Sequence, residues 1–176
     1  SAANRLDLNQ AAAGRLTVEA AGNIHLSELS GDMNIAGVAS TAGDVDLVAA
    51  MSILGRPGDF LADVTGNSIS LHAIGGSIGA PAGEDLNIDS ARWAAGSLTS
   101  LSRFNSYLHE TGGDLTIYQT GSELGTVFVD SSGRILNGNP GGSNVLSGWT
   151  RLYASGDIGE EDNLLRTSVG FLEGRS

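Results

Sequence analysis

One short unit governs this sequence: a glycine, any residue, an apolar residue, any residue, and a second apolar residue. It stands as GRLTV at Gly14, GNIHL at Gly22, GDMNI at Gly31, GDVDL at Gly43, GDLTI at Gly113 and GTVFV at Gly125. Such alternation has the period of a strand with one buried face, and the glycine ahead of it supplies a turn. Looser copies, GNSISL at Gly66, GEDLNI at Gly83 and GSLTSL at Gly96, fill the gaps, with spacings of commonly 7 to 16 residues. No segment sustains a helical period, and Asn-Gly, the strongest hairpin signal, occurs only at Asn137. Many short strands with few hairpin signals leave a sandwich, a barrel or a solenoid.

A longer repeat decides among these. The stretch SILGRPGDFLADVTGNSISLHAIGGSIG (Ser52 to Gly79) parallels RILNGNPGGSNVLSGWTRLYASGDIG (Arg134 to Gly159). Each runs from one isoleucine to another, Ile53 to Ile78 over 25 residues and Ile135 to Ile158 over 23, with a Gly/Pro-rich insert after the first. Three short strands in roughly 20 to 28 residues match one turn of a parallel β-helix, whose turns bury their inner faces by stacking. The sequence therefore predicts an all-β, right-handed parallel β-helix (β-solenoid) over residues 1–176 as a single segment. Its hand follows the rule for parallel crossovers. Alternation places Leu16, Val18, Ile24, Leu26, Leu47, Ile88, Leu152 and Ile158 inside an Ile/Leu/Val core, and Thr17, His25, Asp46, Ser70, Asn87 and Thr116 outside.

Composition then removes whole classes of chemistry. The chain has no Cys, so thiolate catalysis, Cys-ligated zinc and disulfides are out, and this fits an exported chain. All 9 basic residues are Arg, against 20 Asp and Glu and a net charge of -11; there is no lysine chemistry and no basic stripe for nucleic acid. With 40% hydrophobic residues and 16% charged the chain should fold. No apolar run approaches the length of a membrane span, so no membrane insertion is expected.

The stretches GDVDLVAA, GSIGAPAGEDLNIDS and GDIGEEDNLLRTSVGFLEG resemble the repeat region of filamentous haemagglutinin-type exoproteins, large bacterial adhesins secreted by a two-partner route. The resemblance covers most of the chain and implies a right-handed parallel β-helix at the bacterial cell surface or secreted from it. The family's N-terminal secretion domain is missing here. The start SAAN and the end GRS read as cuts inside a longer repetitive protein.

Candidate chemistry is sparse. Asp44 and Asp46 share a strand face and could bind a hard cation, but the calcium-binding nonapeptide GGxGxDxUx is absent. The acidic loop of Asp157, Glu160, Glu161 and Asp162 invites the same question. No metal site and no cofactor are expected. His25, His72 and His109 lie on outward beats with nothing to pair them, and no Gly-x-Ser-x-Gly turn accompanies them. The aromatics say more. Tyr118, Phe128, Trp149 and Tyr153 fall on outward beats, and in GWTRLYA the residues Trp149, Arg151 and Tyr153 form one outward row able to bind a glycan or a protein receptor. Alternatively a loop folds over them. The expected function is a non-catalytic adhesin shaft, its partners being neighbouring repeats and a surface glycan or receptor. The rivals are a carbohydrate-active β-helix enzyme, which two carboxylates converging on a groove beside Trp149 would favour, and the shaft of a contact-dependent toxin.

Overall fold

The structure, a computed structural model, describes residues 5–58, 60–81, 83–92 and 96–176; the opening SAAN lies outside them. Among these residues there are sixteen strands and no helix, and every strand pair is parallel. The chain winds a β-solenoid of about eight turns. One row passes from turn to turn through Leu6, Leu26, Leu47 and Leu71, exposed at Leu6 in the first turn and buried from Leu26 onward. Turn length varies, the step from Ile69 to Leu98 being nearly half as long again as the step from Leu6 to Leu26. At about 4.8 Å per turn the rod is roughly 40 Å long.

The repeat seen in the sequence is the turn itself. Ile53 bridges Ile78 and Ile135 bridges Ile158, both in parallel. Each second isoleucine is followed by a left-handed glycine, Gly79 (φ +63°) or Gly159 (φ +80°), and a tight reversal bridged by Ala80 and Glu84 or by Glu160 and Asn163. Gly79 also lies so close to the next turn that a Cβ there would press into the Tyr107 carbonyl and the Leu86 nitrogen, at 2.7 Å from the latter. Gly79→Ala is therefore expected to destabilise by about 2 kcal/mol or more, strain adding to a clash with backbone. Gly22→Ala, where a Cβ meets nothing within 4 Å, should stay within about 0.5 kcal/mol of the parent. Urea unfolding of both variants checks this, and equal losses would refute it.

The polar residue that follows glycine in GNIHL, GDMNI, GDVDL and GDLTI also has a physical task. At one corner the Ser52 amide donates to Asp32 Oδ1 (2.8 Å), the Ser77 amide to Ser52 Oγ (3.3 Å), the Asn105 amide to Ser77 Oγ (3.2 Å) and the Thr126 amide to Asn105 Oδ1 (3.0 Å). Asn23 and Asp44 do the same at another, accepting from the amides of Asp44 and Ser68, each at 3.0 Å. A short side chain at these corners thus satisfies the amide stacked on it.

The inward set is buried except at the ends, where Leu16, Val18 and Ile158 are only half-buried. The reason is stacking: Leu16 and Val18 sit in the first turn, with a paired strand on one side only. Of the outward set Asn87 is buried, because it is wedged between Asp63, itself inaccessible, and His109 of the next turn. The core is also not purely apolar. The Leu6 row continues through Ser100 and Thr120, whose buried hydroxyls lie 2.6 Å apart in a hydrogen bond, and Ser102 and Ser106 pair likewise at 2.9 Å. Hydroxyls satisfy one another across consecutive turns, as Ser100 and Thr120 do, or within one, as Ser102 and Ser106 do, so the alternation continues inward without hydrocarbon.

Candidate contact surface: an aromatic ladder and its groove

Trp149, Arg151 and Tyr153 lie on the strand Val145–Ala154, alternating with the buried Thr150 and Leu152, so the outward row is real. Its neighbours change its character. Parallel register sets Tyr107 beside Phe128, Phe128 beside Arg151, and Arg151 beside Glu173. The Tyr107 and Phe128 rings stack at 4.8 Å and 11°, and Phe128 meets Trp149 edge-on at 5.2 Å. The Arg151 guanidinium stands over the rings of Trp149, Phe128 and Tyr153 at 5.0, 5.4 and 5.5 Å.

The rings were expected either to project freely or to be covered by a loop. They do neither: Phe128, Trp149 and Tyr153 are half-buried, with Phe128 against Trp149 and Arg151 over all three, and of the four only Tyr118, at 49% exposure, stands largely free. Stacking along the rod occupies faces that a sugar ring would otherwise use. Arg151 Nε and the Tyr153 hydroxyl each donate to Glu173 at 3.0 Å. Those bonds hold the Glu173 carboxyl below its usual range and push the Tyr153 phenol up.

Beside the ladder runs an open groove of about 410 Å³, walled by Pro81 and Gly83 and lined by Asp85, Tyr107, Asp130 and Arg151. Burial pushes the Asp85 carboxyl up, against the opposing charge of His109 and with the reinforcing charge of Asp130. His109 Nδ1 lies 3.4 Å from Asp130 Oδ2. Sequence reading missed Tyr107, Asp85 and Glu173 as members of this site. A signal was there: Tyr107, Phe128, Arg151 and Glu173 follow at nearly equal intervals, one turn each.

Several of the remaining candidates are engaged in structure. Asp44 accepts from the Ser68 amide and from Asn67 Nδ2 (3.3 Å), and Asp46 pairs with Arg5 and with His25 Nδ1 at 3.5 Å. Two of the three histidines, His25 and His109, thus have carboxylate neighbours, contrary to the expectation that nothing pairs them. Parallel register brings a carboxylate onto the histidine's own beat one turn on. Arg134 links Asp114 (2.7 Å) to Glu160 (3.1 Å). Among the described residues no group of three or more His, Asp or Glu could hold a metal ion. Glu110 is inaccessible, its carboxylate receiving the amides of Ser90 (3.0 Å) and Gly112 (3.0 Å). Comparison of the chain with protein-family models, curated proteins and solved structures finds no match.

Proposed function

We propose that this chain is a non-catalytic shaft segment of a large secreted or cell-surface bacterial adhesin of the filamentous haemagglutinin type, wound right-handed and part of a longer repetitive protein. The observation that carries the reading is that many of its polar side chains bridge one turn to the next. Corner Asp, Asn and Ser accept amides, Arg134 and Glu173 bridge turns, and the rings of Tyr107, Phe128 and Trp149 staple three turns together. Such a rod derives stiffness from continuous interstrand bonding and needs neither disulfide nor metal. The row Trp149, Arg151 and Tyr153 is its contact surface for a glycan or a protein receptor. A toxin shaft would share this architecture and differ only in the cargo it delivers.

The test is binding without turnover. A glycan or receptor captured by the intact protein should lose about 1 to 3 kcal/mol of affinity on Trp149→Ala, the range for an interface aromatic. Polysaccharides incubated with the protein should remain uncleaved. One observation favours the rival enzyme: Asp85 and Asp130 line the same groove, and burial pushes the Asp85 carboxyl up, as a general acid requires. Release of sugar fragments that stops with Asp85→Asn or Asp130→Asn would replace the adhesin reading with that one.

A further inference from the structure

On the ladder face one column of residues reads, turn by turn, Asp85, Tyr107, Phe128, Arg151, Glu173; Asp85 takes its place because Leu86 pairs with Leu108. The later half of this column is complete in itself. A planar cation, the Arg151 guanidinium, stands over the Phe128 ring at 5.4 Å and donates to the Glu173 carboxylate at 3.0 Å. The earlier half repeats two of these three parts. Phe128 occupies one face of Tyr107, Asp85 adjoins the other side, and the groove of about 410 Å³ opens over them. The Asp85 carboxylate accepts no hydrogen bond from any described residue.

We propose that this groove binds a guanidinium-bearing ligand, its plane against the Tyr107 ring and its N–H groups donating to Asp85 and Asp130. The charges select a cation. Two carboxylates line the groove, Arg151 is committed to Glu173, and His109 to Asp130, so an anion meets repulsion within a chain of net charge -11. A neutral sugar supplies no charge to offset the partly desolvated Asp85. Guanidinium is preferred over ammonium because it is weakly hydrated, stacks on rings, and presents a fork that can serve two carboxylates at once. The ligand's source is either a small free guanidine or an arginine side chain of a partner protein, which share this chemistry. The inference shares its groove with the contact surface proposed above but does not depend on the shaft role.

Isothermal titration of the whole chain with agmatine at neutral pH and low salt tests it. Saturable binding is expected, weakened at least about tenfold by Asp85→Asn and by Tyr107→Leu, and unaltered by Asp7→Asn, an exposed acid elsewhere. Glucose and glutarate should not bind. A blocked Gly-Arg-Gly peptide separates the sources: affinity equal to agmatine assigns a small guanidine, and much tighter binding assigns a protein side chain. Should either groove variant fail to fold, chemical-shift changes in the parent on adding agmatine must map to Asp85, Tyr107 and Asp130. Absence of saturable agmatine binding, equal binding of glucose, or shifts that map elsewhere overturns the proposal. None of these failures touches the Trp149 test, which uses a different ligand and a different residue.

Discussion

Truncating Leu47 to alanine is expected to lower the unfolding free energy by about 2 to 5 kcal/mol, the range for a leucine removed from a rigid core. Leu47 is inaccessible, with Leu26 on one side in its row and Leu71 on the other. The backbone hydrogen bonds that hold turns about 4.8 Å apart prevent the neighbours from closing on the space left behind, so the cavity persists. The same truncation at Leu16 should lose well under half as much, since Leu16 is half-buried and its turn has a stacked strand on one side only. Urea unfolding followed by circular dichroism measures both. Equal losses would mean that the first turn is packed as the centre is, contrary to the described burial.

Stability should also rise on mild acidification. Glu110 lies where burial pushes its carboxyl from 4.5 up to about 7, overcoming the stabilising donors of Ser90 and Gly112, with the nearby charge of Asp89 adding to the rise. Between those pH values the folded chain holds a proton that the unfolded chain has released. Folding is therefore weakened as pH climbs from about 4.5 to about 7 and is level above that, an effect of up to roughly 3 kcal/mol. Asp63 and Asp85, raised chiefly by burial, act in the same direction. Asp114 and Glu173, lowered by their hydrogen bonds to Arg134 and Tyr153, act oppositely, but solvent screens them. The urea midpoint should accordingly be higher at pH 5 than at pH 8. Glu110→Gln, neutral at every pH, should remove most of that slope, whereas relief of general charge repulsion toward the pI of 4.4 would survive the substitution. A midpoint that climbs from pH 5 to pH 8 would show that Glu110 is ionised in the fold at little cost.

Inside and outside were legible from residue order alone, because a strand alternates its faces with a period of two whatever surrounds it. That is why Ile24, Leu26, Leu47 and Ile88 could be placed in the core, and why Ile53 with Ile78 and Ile135 with Ile158 marked a turn before any pairing was known. What only the tertiary structure decided is which outward residue lies on which. Turns differ in length, as Leu6 to Leu26 and Ile69 to Leu98 show, because loops leave the rod and return without changing its rise. Alignment between turns therefore depends on where each loop re-enters, a quantity that no local pattern encodes. This alignment puts Arg151 among three rings and onto Glu173, sets Asp85 beside Tyr107, buries Asn87 between Asp63 and His109, and lets Ser100 and Thr120 share a hydrogen bond in the core. Strand periodicity is a property of the backbone, whereas the chemistry of a solenoid's surface arises between turns, and stacking across the register creates it.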